Sequence, residues 1–507
     1  MKPHQLTSAA WNLQSVWALV EQQPQIELSE DVILKVERCR AFLEDLLSQD
    51  GGRAIYGVNT GFGDLANTKV GEGELSELQK NLLISHACGV GDEVPDEVVR
   101  AMLLLKIKAL CQGHSGVKRE TIDRLVAHWN ADLFPVVPSQ GSLGASGDLA
   151  PLSHLVLPLI GQGWIRKNGV TVTANEALQE QNWNPLSLGA KEGLALINGT
   201  QLMLAYAVMS MKRLEQIADW ADAVCAWSLE AWHGRIEPFD PEIHQVRNQS
   251  GAELVANNVL DWLKGSEWQT IPRSQVQDPY SFRCAPQVHG ASRNALDFAR
   301  VVLENEINAV TDNPLIFPES GKVLSGGNFH GQPLALQMES LALAAHELAS
   351  ISERRTFKLL SGRQGLPPFL TPAPGLNSGF MIPQYTAASL VSQNKQLCTP
   401  NAADNIDSSN GQEDHVSMGA NSALKLWKIL DNVEQVLAVE CMTAAQACDL
   451  RKGDGMAPAL HALQRSLRRN VPFLERDAVM QPLMMATKHW MFSSTAPADF
   501  SNNPTQS

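Results

Sequence analysis

Ala145-Ser146-Gly147 lies within the run Gly141-Ser142-Leu143-Gly144-Ala145-Ser146-Gly147-Asp148-Leu149-Ala150-Pro151-Leu152-Ser153-His154 and has the composition a backbone needs to react with itself. Gly147 has no side chain, so its amide nitrogen can approach the Ala145 carbonyl carbon, and Ala145 is too small to block that approach. The Ser146 hydroxyl can leave as water, producing a dehydroalanine-type double bond. Cyclisation with dehydration would give a methylidene-imidazolone (MIO), an electrophile that no ordinary side chain supplies. In isolation the tripeptide reads as an ordinary loop, so the reading depends on what else the chain carries.

Several other loops hold reactive residue types. Ile55-Tyr56-Gly57-Val58-Asn59-Thr60-Gly61-Phe62-Gly63 joins a phenol to a Gly-rich turn that could close over a small substrate. A phenol near pKa 10 needs its phenolate stabilised before it can act as a base at neutral pH. Asn198, in Ala195-Leu196-Ile197-Asn198-Gly199-Thr200-Gln201, stands at the mouth of a long helical pattern, where it or Thr200 reads as a helix cap. Gln277-Asp278-Pro279-Tyr280-Ser281-Phe282-Arg283-Cys284 supplies a second phenol and a guanidinium. The planar fork of Arg283 suits a substrate carboxylate, and an internal Arg–carboxylate pair is the alternative. Phe329, in Gly326-Gly327-Asn328-Phe329-His330, could pack on a substrate ring or in the core, and Asn313-Pro314 reads as turn chemistry. Glu413, in Gln412-Glu413-Asp414-His415, and His86, in Ile84-Ser85-His86-Ala87, complete the set.

Taken together, from about residue 50 to 455, these motifs resemble the aromatic amino-acid ammonia-lyases. The resemblance implies an MIO group made from Ala145, Ser146 and Gly147, with no external cofactor and no metal. It makes Tyr56 the general base on a loop over the active site. Asn198 becomes a donor to the imidazolone oxygen, and Tyr280 helps to position the amine or the electrophile. Arg283 and Gln277 join the substrate-binding residues, and Phe329 and His86 shape the ring pocket. Glu413 is an alternative base or a partner of the substrate ring or amine. Phenylalanine- and tyrosine-specific relatives generally place glutamine where this chain has Glu413, and a carboxylate suits a basic ring with N–H donors. Ser85-His86 is similar to the pair in histidine-specific members. The implied reaction is therefore non-oxidative elimination of ammonia from L-histidine to give urocanate, the first step of histidine breakdown. The alternatives are a tyrosine or phenylalanine ammonia-lyase or aminomutase using the same electrophile, or a helical scaffold without activity. The resemblance also implies a homotetramer with the long helices at its centre and active sites shared between subunits. Phe282 and Gln393 depart from the Leu and the acid that relatives commonly carry.

Long helices must position these loops. Thr200–His233, Leu334–Ser361 and Ala420–Lys452 lack both Gly and Pro, and a fourth helix is expected over Ala291–Asn308. In the third segment, Leu426, Leu430, Val433 and Leu437 fall on one helical stripe. Pro333 suits a first helical turn, and Gly362 stands just past the end of that segment. Strand signals are few: Trp164–Val172 around Asn168-Gly169 reads as a hairpin, and Ile316–Leu324 around Ser320-Gly321 is a second candidate. The expected fold is mainly α, a long-helix bundle (199–507) preceded by an N-terminal loop-rich, mostly helical region (1–198) that carries the MIO loop.

The 507 residues allow a large core, and 54 acidic against 40 basic residues, without a long Lys/Arg run, argue against nucleic acid or an anionic membrane as partner. There is no run of apolar residues of signal-peptide or membrane-span type. Eight scattered cysteines without a CxxC pair suggest reduced thiols and a cytoplasmic setting. His346-Glu347-Leu348-Ala349-Ser350 begins like a zinc helix but puts serine where the second histidine belongs. Ser146, Asp148 and His154 do not form a hydrolase triad, because Asp148 is too close along the chain and the context is not GxSxG.

Overall fold

The computed structural model describes residues 3–49, 55, 57–61, 70–273, 275–451, 455–493, 497 and 500. Tyr56 and Phe62 lie outside them. The described chain is mainly helical with a few short sheets.

Four long helices form where Gly and Pro are scarce: Gln201–Trp232, Ala285–Ile307, Gln332–Leu359 and Gly419–Asp449. The second begins six residues before the expected start, since Pro286 sits in its first turn, where no backbone N–H is required. Pro333 occupies the same kind of position in the third helix. Leu426, Leu430, Val433 and Leu437 are all fully buried, as their helical stripe requires. Both hairpins are present. Trp164–Lys167 pairs antiparallel with Val170–Thr173, and Asn168 (φ 50°) with Gly169 (φ 77°) supplies the left-handed pair such a two-residue turn needs. Leu315–Phe317 pairs antiparallel with Lys322–Leu324.

The chain divides into two compact units, and the division is not the single cut near residue 198 expected from loop density. The first unit comprises Met1–Ser210, Arg300–Glu339 and Pro400–Leu424. The second comprises Met211–Ala299, Ser340–Thr399 and Lys425–Ser507. The reason is that later loops return to the first unit. The Val416 and Met418 side chains pack on Ala145, and Ile316 joins a core with Cys39, Leu43, Val58 and Ala190.

In the first unit, Asp96–Leu110 is buried along almost its whole length, including two lysines. In the second, three tryptophans of Gln201–Trp232 (Trp220, Trp227 and Trp232) are fully buried. Trp232 stacks on Phe282 at 5.3 Å, so the aromatic ring at this departure position is used in packing. Arg355 and Glu440, both inaccessible to solvent, form a two-pronged pair in the same unit. All eight cysteines are free thiols. No helix among the described residues is long and apolar enough to cross a membrane.

Candidate active site

The Ala145-Ser146-Gly147 loop is held from several sides within the first unit. Gly147 adopts φ +77° and lies against Gly199, where a Cβ would stand 2.1 Å from the Gly199 carbonyl oxygen. Only glycine fits there. The next amide, of Asp148, donates to that same carbonyl at 2.7 Å. Ala145 is buried against Leu143, Val416 and Met418, and the Met418 amide donates to the Leu143 carbonyl at 3.0 Å.

Asn198 ends the short helix Glu192–Ile197 and is almost fully buried. Its side-chain amide donates to the Ser146 carbonyl oxygen at 2.7 Å, and its own buried Oδ1 has no partner among the described residues. It does not cap the long helix, and neither does Thr200, whose hydroxyl donates to Glu306. That cap is the Asp148 carboxylate, which accepts from the Leu202 and Met203 amides at 2.6 and 3.3 Å. Burial pushes the Asp148 carboxyl up to about 7, against the opposing pull of those two N–H groups and of Lys106. Lys106 donates its ammonium to the carbonyls of Ala195 and Asn198 at 3.1 and 3.0 Å, which fixes the turn that presents Asn198. Burial brings Lys106 down to about 8.

Glu413 faces the loop from the other side. Its Oε1 accepts the Ser146 hydroxyl at 2.9 Å, and its Oε2 accepts the Ser408 hydroxyl, also at 2.9 Å. The backbones of Ser408 and Glu413 exchange two hydrogen bonds across a short turn, so the carboxylate is presented on a closed loop. His86 ends the helix Leu75–His86. Its Nδ1 lies 2.8 Å from the Leu82 carbonyl, and because a carbonyl only accepts, Nδ1 carries the proton and Nε2 is the acceptor. Burial lowers the His86 pKa, opposed by that carbonyl and by Glu413. The ring is thus neutral at neutral pH.

Ser146, Asn198, His86, Phe329 and Glu413 line one cavity of about 450 Å³, within the size range of small-molecule sites. The remaining wall is largely apolar, from Leu78, Leu82, Leu149, Leu194 and Ile197. None of the described lining residues is an arginine or a lysine. The loop around Ala145–Gly147 fits a cyclised tripeptide. The glycine position admits no side chain, the Ser146 carbonyl already has a donor, and the buried Asn198 Oδ1 leaves polar capacity unspent.

Gln277, Tyr280 and Arg283 belong to the second unit and do not line that cavity. Gln277 and Arg283 border another, of about 420 Å³, with Arg235, Glu237 and Asp278. Tyr280 is 70% exposed. The Arg283 Nε donates to the Asp278 carbonyl at 3.0 Å, and its guanidinium lies 4.4 Å from the Tyr280 ring centre. Backbone and ring therefore orient the fork rather than an internal carboxylate. Tyr56 lies outside the described residues.

Sequence reasoning missed Ser408 and Lys106. Nothing in the spacing around Ser408 signals its contact, because the pairing with Glu413 depends on the turn between them. Lys106 carried a readable signal, a lysine inside the apolar run Leu103-Leu104-Leu105-Lys106-Ile107.

A family model described as aromatic amino acid lyase matches residues 11–469. A histidine ammonia-lyase of Geobacillus sp. (strain WCH70) is 47% identical over 488 residues, covering 96% of each chain. The crystal structure of histidine ammonia-lyase from Trypanosoma cruzi superposes with a TM-score of 0.90 at 38% identity, covering 99% of this chain and 95% of that one. The phenylalanine aminomutase of Pantoea agglomerans superposes with a TM-score of 0.92 at 30% identity, covering 98% and 99%. The backbone is thus shared between enzymes named for different substrates, and side chains must carry the discrimination.

Proposed function

Since the chain belongs to the aromatic amino acid lyase family, we propose that it eliminates ammonia from L-histidine to give urocanate, the first step of histidine degradation. The observation that carries this reading is the pairing in one cavity of the Glu413 carboxylate, bonded to Ser146, with the neutral ring of His86. These two acceptors, in a wall that is mainly apolar but also carries Asn81, Ser85, Asn313 and Ser409, suit a substrate ring that brings its own N–H donors. A phenyl ring would leave them unpaired, a mismatch that can reach roughly 10⁴ to 10⁵ in selectivity. The histidine ammonia-lyases among its relatives support the same substrate.

Ala145, Ser146 and Gly147 would supply the MIO group, with no external cofactor. When formed, that group provides the electrophile that the weakly acidic β-hydrogen and the poor amine leaving group of histidine require. The chain's own residues do the rest. Asn198 draws electron density through the Ser146 carbonyl. Tyr56 is the general base, with Glu413 as an alternative base or as the partner of the substrate ring or amine. Phe329 packs on the ring. Because the cavity holds no cation of its own among the described residues, Arg283, with Tyr280 and Gln277, would reach it from another subunit of a homotetramer, the guanidinium gripping the substrate carboxylate. We place the enzyme in the cytoplasm, where its eight free thiols stay reduced.

The test is to incubate the purified protein with L-histidine and to follow urocanate by absorbance alongside released ammonia. Equimolar appearance of the two is expected. Ammonia without urocanate, or no turnover by protein that has lost two waters from Ala145–Gly147, would overturn the reading.

A further inference from the structure

We propose that Glu413 is also the acid that expels the Ser146 hydroxyl while the prosthetic group is being made, a maturation role distinct from its part in turnover. The proposal rests on the reading that Ala145–Gly147 cyclises.

Hydroxide is a poor leaving group, so the hydroxyl needs a proton delivered to Oγ as it departs. Among the described residues, Oγ of Ser146 has one hydrogen-bond partner, Glu413 Oε1 at 2.9 Å. His86 is not an alternative donor, because its Nδ1 proton is engaged by the Leu82 carbonyl. The Ser408 hydroxyl holds the other carboxyl oxygen at 2.9 Å, and the paired backbones of Ser408 and Glu413 close the turn that aims the group. The same loop carries Val416 and Met418, which pack on Ala145. The acid and the tripeptide are therefore brought together by one piece of packing.

The two water losses balance as follows. In the first, the Gly147 nitrogen bonds to the Ala145 carbonyl carbon. That carbonyl oxygen leaves with one hydrogen from the Gly147 amide and one from the Ser146 amide. In the second, the Cα–H electron pair of Ser146 becomes the Cα–Cβ double bond, and its proton passes to solvent water. Glu413, an acceptor at rest, first takes up a proton from solvent; the Cβ–Oγ bond then breaks, and Oγ leaves as water with that proton, which regenerates the carboxylate. Asn198 assists this second loss, because its amide on the Ser146 carbonyl at 2.7 Å stabilises charge that develops at the adjacent Cα.

The experiment is intact-mass spectrometry of the full chain, sampled through a cell-free synthesis, for the parent, Glu413→Gln, Glu413→Asp, Ser408→Ala and Ser146→Ala. The parent should become lighter by two waters. Glu413→Gln should slow the second loss by on the order of 10²-fold or more and accumulate chain lighter by one water. Ser408→Ala keeps the acid but loosens its aim, so its second loss should be slowed to an intermediate degree. Glu413→Gln reaching the two-water loss on the parent's time course would overturn the proposal. Should Glu413→Gln not fold, Glu413→Asp decides: it keeps the acid but withdraws it by one methylene, and a parental time course there is equally contradictory. A parent that loses no water would instead refute the cyclisation reading itself, so the two failures are distinguishable.

Discussion

Asn198→Ala isolates the contribution of one donor. The Asn198 amide sits 2.7 Å from the Ser146 carbonyl oxygen in a setting almost closed to water, and its Oδ1 makes no hydrogen bond among the described residues. Truncation therefore breaks a single side-chain hydrogen bond of the described residues and orphans the Ser146 oxygen, at a cost to folding of about 1 to 3 kcal/mol. The cost to catalysis is larger, because the donor strengthens as charge develops on the oxygen it touches. Removing one such donor is worth about 3 to 4 kcal/mol of transition-state stabilisation, on the order of 10² to 10³ in kcat. KM should move little, since the interaction is made in the transition state and not on substrate binding. The assay is steady-state urocanate formation, with intact mass recorded so that rates refer to cyclised chain and thermal unfolding recorded to confirm folding. A cyclised variant with kcat within about threefold of the parent would refute the donor role.

Other consequences follow from single contacts. Gly147→Ala should yield chain of unreduced mass and no turnover, because the new Cβ meets the Gly199 oxygen at 2.1 Å in a left-handed backbone; a cyclised Gly147→Ala chain would contradict the assigned packing. Arg283→Lys should keep the two-water loss but raise KM for histidine by about 10- to 100-fold, as an ammonium cannot reproduce the fork; an unchanged KM removes Arg283 from carboxylate binding. Burial against Trp183 holds the His128 ring down at about 4, below the usual 6.5. Between those values the unfolded chain binds a proton that the folded chain does not, so stability present above about 6.5 is lost as pH falls toward 4, by up to about 3 kcal/mol. Thermal midpoints near neutrality and near pH 5 should therefore diverge less in His128→Gln than in the parent, and equal divergence would be evidence against this linkage.

Much of the fold was legible because helix signals are local. The segments lacking Gly and Pro became Gln201–Trp232, Gln332–Leu359 and Gly419–Asp449, each within a few residues of expectation, and Asn168-Gly169 marked its hairpin. The parallel pairing of His4–Leu6 with Ile26–Leu28 was not legible, because three-residue strands carry too little pattern to read. The two-unit division was hidden for a related reason: it depends on where loops from Arg300–Glu339 and Pro400–Leu424 pack, and periodicity is silent on that. At the site, the motif residues Ser146, Asn198, His86, Phe329 and Glu413 meet in one cavity, although they are spread over more than three hundred positions. What spacing could not convey was the role of Asp148. Its closeness to Ser146 along the chain ruled out a hydrolase triad but assigned it no other task, and in the structure it caps the long helix.

The most direct test of the account is a substrate panel of L-histidine, L-tyrosine and L-phenylalanine with the purified protein, each unsaturated acid followed by its own absorbance together with ammonia. Urocanate from histidine, and no coumarate or cinnamate, is the expected result. Coumarate or cinnamate at rates matching or exceeding urocanate would contradict the substrate assignment to Glu413 and His86 while leaving the Ala145–Gly147 electrophile in place.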